Sequence, residues 1–275
     1  MKRLLKNFAF TAGLLLTVAL LVVALAAPLL APFDPNSQDT SRRLEPPSKQ
    51  HLLGLDDLGR DVLARIVWGA RISLRVGFSV VIVASLIGIA LGAIAGYFGG
   101  WPDTIIMRIT DILLAFPGIL LAIAMVAVLG PSINNVILAL ATIGWVGYAR
   151  LVRGQVLKVR EMEYVTAAKA LGAKSPRVIV RHVLPNVINP VIVMATLGLA
   201  GAILSEAALS FLGLGVQPPT PSWGAMLTSG RRYLGLANHL AIYPGIAIMA
   251  AVMGLNFLGD GLIDALDPKY RKQMS

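Results

Sequence analysis

The acidic residues that stand closest together, Asp56, Asp57 and Asp61, are the first candidates for chemistry in this chain. Carboxylate oxygens of this kind bind Ca²⁺ or Mg²⁺ when enough of them converge on one point. Arg60 and Arg65 are interleaved with them, however, and no further ligand stands close in sequence. We therefore expect local ion pairs here rather than a metal site.

Two other short motifs resemble catalytic or nucleotide-binding sequences. Gly172-Ala173-Lys174-Ser175 lacks the spacing and the adjacent Gly-Lys of a phosphate-binding loop, so it is not expected to bind ATP. Gly259-Asp260 is compatible with an intramembrane aspartyl protease, but no second intramembrane aspartate is available, which favours an aspartate at a helix end. No H-E-x-x-H or G-x-S-x-G motif is present. The sequence therefore predicts no enzyme, and no catalytic, metal-binding or cofactor-binding residue in this chain.

Glu206 is the acidic residue in the least favourable sequence environment. It lies at the predicted outer end of an apolar span, where a carboxylate is costly unless it meets water or a partner. One interpretation places it, with Phe211, at the outer mouth or gate of a pathway. The other makes it a structural acceptor for a neighbouring helix, or a residue at the membrane interface. The sequence leaves both interpretations open.

The composition of the chain indicates a membrane protein. Of 275 residues, 56% are hydrophobic and 14% are charged, whereas soluble domains average about 25% charged residues. The net charge of +10 comes from Lys and Arg in loops that border apolar segments, which is typical of cytoplasmic loops rather than of nucleic-acid binding. The absence of cysteine excludes disulfides and thiolate metal sites.

The apolar segments predict an all-α protein with six transmembrane helices. The first segment could be a signal peptide, but its 24 uncharged residues are long enough to cross a bilayer of about 30 Å. Gly130-Pro131-Ser132 divides the 38 uncharged residues 112–149 into a hairpin of two spans. The uncharged segments are residues 8–31, 76–100, 112–149, 183–205 and 240–259.

Gly88, Gly92 and Gly96 recur every four residues in the second span and predict a stripe for close helix packing. With six spans, both termini lie on one side of the membrane. That side carries 15 Lys and Arg residues against 9 on the other. The bias predicts that both termini are cytoplasmic.

A basic insert, residues 161–190, stands between the apolar segments on this predicted inner side. The helical spacing of Tyr164, Ala167 and Leu171 predicts a short helix that ends at Gly172, in the left-handed conformation. Ser175-Pro176 then predicts the cap and first turn of a second short helix, which Pro185 is expected to disturb. The compact, basic shape indicates contact with a partner protein.

The segment EYVTAAKALGAKSPRVIVRHVLPN resembles the cytoplasmic loop of permease subunits from ATP-binding-cassette (ABC) importers. The family pattern is E-A-A, three residues, G, nine residues, I-x-L-P. Thr166, Ala167 and Ala168 take the E-A-A places, Gly172 the glycine, and Leu184-Pro185 the end. Thr166 and His182 depart from the Glu and Ile of the general pattern and are similar to the peptide-transport branch.

Three further segments resemble the dipeptide, oligopeptide and nickel branch of that family: LGLDDLGRDVLARIVWGARISL, RITDILLAFPGILLAI and SFLGLGVQPPTPSWGAML. The chain looks like the second permease of a pair. The resemblance implies a type I importer with a second permease, two cytoplasmic ATPases that bind ATP and Mg²⁺, and an extracytoplasmic substrate-binding protein. It also implies a multi-pass protein of a bacterial-type plasma membrane.

The resemblance also implies an organisation of the chain. Residues 1–35 form a cytoplasmic tail and a peripheral span, 36–71 an extracytoplasmic loop, 72–264 the transport core, and 265–275 a cytoplasmic tail. Independently of the resemblance, the pattern of residues 51–77 predicts a helix near the surface, with Leu58, Val62 and Ile66 on one side. The coupling loop covers about 161–187. The residues implied to couple to the ATPase are Glu163, Thr166, Ala167, Ala168, Lys169, Leu171, Gly172, Leu184 and Pro185.

The implied activity is import by alternating access, with peptides as the favoured cargo and nickel, haem or a sugar as alternatives. An ion-driven carrier or channel is a further alternative. It would need charged residues inside the spans or an internal repeat, and the sequence shows neither.

Overall fold

A computed structural model describes residues 8–266 of the chain, and within them the protein is almost entirely helical. Five helices are long and apolar enough to cross a membrane, and a bent pair of helices brings the number to six. The helices are α1 (Phe8–Leu25), α2 (Ala27–Leu30), α3 (Val62–Phe98), α4 (Gly100–Leu114), α5 (Gly118–Leu129), α6 (Ile133–Val159), α7 (Glu163–Ala170), α8 (Ser175–Val178), α9 (Leu184–Phe211), α10 (Trp223–Arg231) and α11 (His239–Leu266).

Glycines set the closest contacts between the long helices. A Cβ added at Gly92 would lie 2.5 Å from the carbonyl oxygen of Ala149, and one at Gly96 would lie 2.8 Å from Cβ of Val156. The stripe predicted from Gly88, Gly92 and Gly96 therefore packs α3 directly against the α6 backbone. The antiparallel pair α1 and α11 packs in the same way, with Phe10 against Gly261 and Leu16 against Gly254.

The surface helix predicted from residue 51 is wrong in its extent. Residues 51–61 form turns, and the helix begins only at Val62, because the Asp61 carboxylate accepts a hydrogen bond from the Ala64 amide at 2.7 Å and caps it. Leu58 is therefore not helical. The helix then continues to Phe98 as a single element of 37 residues, so the second span starts before residue 76.

The third predicted span is not one straight helix. Helices α4 and α5 meet at 86°, with the break at residues 115–117. Pro117 lacks an amide hydrogen and disfavours helical conformation in Phe116, which accounts for the break. Helix α5 has 12 residues, or about 18 Å, and is too short to cross a bilayer alone.

The predicted hairpin break at Gly130-Pro131-Ser132 is confirmed. Gly130 has a φ of +90°, and the Ser132 hydroxyl accepts from the Asn135 amide at 3.1 Å, which caps α6. The bundle thus has two ends. The "loop end" carries residues 32–61, residues 212–222 and the turn 232–238, which lies at this end because His239 Nε2 is 3.4 Å from the Leu55 carbonyl oxygen. The "elbow end" carries the end of α3, the end of α6 and residues 163–178. The basic residues Lys2, Arg3 and Lys6 and the tail from 267 lie outside the described residues.

Candidate functional site

Residues 163–178, the "elbow", consist of α7, a tight turn and α8, as the sequence predicts. Gly172 has a φ of +80°. Its amide donates to the carbonyl of Lys169 at 2.9 Å, and the amide of Ala173 donates to the carbonyl of Ala168 at 3.1 Å. This pair of bonds is a Schellman motif, which satisfies the last carbonyls of α7 and turns the chain sharply. The corner at Gly172 is confirmed.

The start of α8 differs from the expectation in one detail. Lys174, not Ser175, is the N-cap residue, and no side chain caps this short helix. Pro176 does occupy the first turn, as predicted.

The elbow is held by valines. Val165 of α7 and Val178 of α8 are completely buried, and they share one apolar cluster with Val152, Val156 and Val159 of α6. Removing this apolar surface from solvent fixes the elbow on the end of α6. The elbow is therefore part of the bundle, not a loose loop.

The opposite side of the elbow is exposed and carries both apolar and charged side chains. Tyr164 is 42% exposed and Leu171 is 89% exposed, and Ala167 between them is also exposed. Large exposed apolar side chains beside a small residue are typical of a contact surface for another protein. Among the predicted coupling residues, Glu163, Thr166, Lys169 and Gly172 are exposed as well, whereas Ala168 is half-buried.

Lys169 has a partner within the chain. Its Nζ lies 5.0 Å from the centroid of the Tyr97 ring at the end of α3. The guanidinium of Arg160 also reaches this helix end, where Nη1 donates to the Gly96 carbonyl at 2.8 Å. These contacts join the elbow region to α3, and the sequence analysis did not anticipate them.

The second arm of the elbow continues into α9 without the interruption expected at Pro185. A π turn at Ile179–Val183 joins α8 to α9, so that Ser175–Phe211 is one apolar helical segment. The wider turn accommodates a residue without an amide hydrogen, and the side chain of Asn186 donates to the His182 carbonyl at 2.8 Å. Leu184 and Pro185 therefore lie in the first turn of α9, within the continuous helical segment that leads away from the elbow.

A cavity of about 570 Å³ opens between α3, α5, α6 and α9. Among residues 8–266, no charged side chain lines it, and the polar side chains that do are those of Tyr148 and Ser205. The described lining residues are Val80, Val81, Ala84, Gly118, Ile119, Leu140, Ile143, Gly144, Tyr148, Met194, Leu197, Gly198, Gly201, Ala202 and Ser205.

Glu206 does not line this cavity; it is completely buried between helices. Its carboxylate accepts from the Ser210 hydroxyl at 2.7 Å and from the Ser73 hydroxyl of α3 at 3.3 Å. Ser210 in turn accepts from the Val216 amide at 3.3 Å. Of the two interpretations left open, these contacts favour the structural acceptor.

Phe211 also has an intramolecular role. The guanidinium carbon of Arg231 lies 5.0 Å from its ring centroid, a cation–π contact between α9 and α10. Phe211 is not among the residues that line the cavity.

The ion pairs predicted around Asp56 are confirmed. Arg60 Nε lies 2.7 Å from Asp56 Oδ2, Arg65 Nε lies 3.5 Å from the same oxygen, and Arg60 Nη2 lies 3.6 Å from Asp57 Oδ1. Asp61 pairs instead with His51, at 2.9 Å. Within residues 8–266, no group of three or more His, Cys, Asp or Glu side chains is arranged to hold a metal.

Two more ion pairs attach α4 to α6. Arg153 Nη2 donates to Asp103 at 2.7 Å, and Arg150 pairs with Asp111. They hold the first arm of the broken span near the elbow end. The sequence contains the charges, but their partners are separated by 50 and 39 residues and were not predicted.

Two models of known protein families match separate parts of the chain. Residues 88–272 match the family model of the binding-protein-dependent transport system inner membrane component. Residues 1–47 match the N-terminal TM domain of oligopeptide transport permease C.

Two relatives are similar over nearly the whole chain. The dipeptide transport system permease protein DppC of Alkalihalophilus pseudofirmus is 50% identical over 98% of this chain and 89% of its own. The glutathione transport system permease protein GsiD of Pectobacterium atrosepticum is 45% identical over 98% and 90%.

A solved structure shares the fold. The MetNI methionine ABC transporter in an inward-facing conformation has a chain that covers 74% of this one and 97% of its own length, with a TM-score of 0.56 and 19% identity. At that identity the likeness bears on the fold alone.

Proposed function

The chain belongs to the family of binding-protein-dependent transport system inner membrane components, and we propose that it forms half of the translocation pathway of an ATP-driven peptide importer. In this proposal a second permease completes the pathway and two ATPases bind the elbow end. A substrate-binding protein delivers cargo to the loop end. ATP and Mg²⁺ are bound by the ATPases, not by this chain.

The observation that carries the proposal is the elbow. It exposes Tyr164, Ala167 and Leu171 on one side, while Val165 and Val178 fix its other side to the bundle. A partner that binds the exposed side moves the elbow as a rigid body, because the hydrogen bonds of the Schellman turn and the packing of the valine cluster fix α7 and α8 relative to each other. The π turn passes that movement directly into α9, which is one wall of the cavity.

The orientation follows from the same arrangement together with the charge bias. The elbow end carries the basic segment 150–182, with 8 Lys and Arg residues. Positively charged loops remain in the cytoplasm during insertion. Both termini and the elbow are thus cytoplasmic, and the loop end faces outward.

The cargo assignment rests on two supports. The relatives that cover nearly the whole chain are named for dipeptide and glutathione transport, both of them peptides. The uncharged cavity wall offers no buried side chain to hold a metal ion or to pair with one fixed charge. Such a wall suits cargo with varied side chains, and selection then rests with the binding protein.

The proposal is tested with a matched pair of exposed leucines. Leu171 is 89% exposed on the elbow and Leu236 is 77% exposed in a turn at the loop end. Leu171→Glu is expected to abolish both copurification of the ATPases and ATP-driven uptake of labelled peptide into vesicles, because it places a charge in an apolar contact. Leu236→Glu is expected to retain the ATPases.

The outcomes separate the parts of the proposal. Retention of the ATPases by Leu171→Glu, or their absence from the wild-type preparation, would contradict the coupling assignment. Uptake of nickel, haem or a sugar in place of peptide would be consistent with the coupling assignment but would contradict the assignment of peptides as the cargo.

A further inference from the structure

The elbow region makes two contacts with the last turn of α3. Lys169 of α7 lies over the ring of Tyr97 at 5.0 Å, and Arg160, just before the elbow, donates to the carbonyl of Gly96 at 2.8 Å. We call these four residues the "clamp". The two partners in each contact are separated by more than 60 residues in the sequence, so only the folded chain brings them together.

The position of the clamp on α3 decides what it transmits. Gly96 is the last glycine of the stripe, and its Cα lies so close to α6 that an added Cβ would be 2.8 Å from Cβ of Val156. At this level α3 and α6 are packed backbone to backbone, and such contacts leave little room for sliding. A displacement of the elbow that pulls Tyr97 therefore displaces the inner end of α3 with α6.

The chain itself connects the elbow to α6 through residues 160–162 and to α9 through the π turn, but it gives no direct connection to α3. The clamp supplies a contact between the elbow region and α3. Both α3 and α9 line the cavity, with Val81 and Ala84 on one helix and Met194 and Gly198 on the other. Movement of one wall alone would shear the cavity, whereas joint movement of both walls changes its opening.

We propose that Tyr97 is a positioning residue for energy coupling: its ring holds α7 through Lys169, so that the elbow drives α3 and α9 together. This inference rests on the proposed function, since it concerns how force from an ATPase is distributed. It assigns Lys169, which the resemblance places among the ATPase-coupling residues, to a contact with the chain's own α3. Tyr97 itself does not contact the partner or the cargo in this account.

The test uses the complete transporter, with second permease, ATPases and binding protein, reconstituted in vesicles. Tyr97→Leu keeps apolar bulk but removes the ring face. We expect the number of cargo molecules taken up per ATP hydrolysed to fall by about two- to fivefold, the range that corresponds to a cation–π contact at an exposed site. Tyr97→Phe keeps the ring and is expected to restore the wild-type ratio.

Two controls separate positioning from general damage. Trp101→Leu removes another aromatic side chain near this end, 75% exposed and outside the clamp, and is expected to leave the ratio unchanged. Tyr97→Leu combined with Lys169→Met is expected to lower the ratio no further than Tyr97→Leu alone, because both remove the same contact.

The inference is overturned if Tyr97→Leu keeps the wild-type ratio, if Tyr97→Phe is as defective as Tyr97→Leu, or if the two clamp substitutions are additive. Copurification of the ATPases with each variant is measured in parallel. Loss of ATPases from the wild type would contradict the proposed function. Retained ATPases with an unchanged ratio in Tyr97→Leu would contradict this inference alone.

Discussion

The two ends of the helix bundle differ in how their polar and charged side chains are paired. At the loop end, the charged and polar groups find partners within the chain: Asp56 pairs with Arg60, and Glu206 accepts from serines of two helices. At the elbow end, Tyr164 and Leu171 present apolar surface that no described residue covers. Exposed leucines occur at both ends, Leu236 at the loop end among them, so the two ends differ in their buried polar contacts rather than in exposed apolar surface.

The loop end also shows how charges are accommodated near a membrane helix. Arg65, in the second turn of α3, is buried, and its Nη1 donates to the carbonyl of Pro35 at 2.9 Å. At the exposed rim, a hydrogen bond from Arg42 lowers the pKa of Glu45. The loop end thus holds several buried charged groups through contacts within the chain.

The largest effect is expected from Asp56→Ala. It leaves Arg60 and Arg65 without their shared carboxylate, and removing one partner of a buried pair costs about 3–5 kcal/mol. Thermal unfolding in lipid nanodiscs measures the loss of stability. The matched variant Glu45→Ala removes the carboxylate of an exposed pair with Arg42 and is expected to change the unfolding temperature little. Equal losses of stability in the two variants would contradict the view that the buried ion pairs of Asp56 stabilise the protein more than the solvent-accessible pair of Glu45.

A smaller effect is expected from Glu206→Ala. The hydroxyl of Ser210 loses its buried acceptor at 2.7 Å, which costs about 1–3 kcal/mol, and the longer bond from Ser73 at 3.3 Å adds less. Glu206→Gln keeps one carbonyl oxygen and is expected to lose less. The same unfolding measurement is paired with peptide uptake. Normal stability with abolished uptake in both variants would return Glu206 to the pathway and contradict the structural assignment.

Gly172→Ala is expected to act on the elbow alone. A φ of +80° disfavours any residue with a Cβ, by about 1–2 kcal/mol, although the surrounding space is open. Gly235 offers a control at the loop end, with a φ of +88° and equally open space. We expect Gly172→Ala to weaken ATPase binding in a pull-down titration and Gly235→Ala to leave it unchanged. Equal weakening would show that backbone strain at either end has the same consequence.

The smallest perturbation tests the orientation of the two ends. The chain has no cysteine, so Leu171→Cys and Leu236→Cys each introduce a single thiol at an exposed position. In intact cells a membrane-impermeant maleimide is expected to label Leu236→Cys, and Leu171→Cys only after permeabilisation. The reverse pattern would place the elbow outside and contradict the proposed direction of coupling.

Local sequence signals predicted several features of the site correctly. Gly172 ends α7 in the left-handed conformation, Gly130-Pro131-Ser132 breaks the hairpin, and the four-residue spacing of the glycines in α3 marks a packing face. Each of these depends on residues within one or two helical turns. A backbone preference or a helix face is a property of such a short segment and can be seen without the fold.

The errors have a common cause as well. The start of α3 was placed too late because Arg65, Arg71 and Arg75 interrupt the uncharged run, although the helix itself continues through them. The bend at Pro117 was missed because a proline in an apolar segment is compatible with either a kink or a complete break. Hydropathy measures the preference of a segment for lipid, and it carries no information on where a helix begins or in which direction it runs.

By itself, then, the sequence determined that the chain crosses a membrane several times, that a sharp corner lies at Gly172, and which family it resembles. Composition and local conformational preferences are properties of contiguous residues, so they can be seen without the fold. Only the tertiary structure decided that Lys169 lies over Tyr97, that Glu206 joins two helices, and that α3, α5, α6 and α9 line one open, uncharged cavity. Those contacts join residues tens to more than a hundred positions apart. Their energy exists only once the helices have packed, and no local pattern records it.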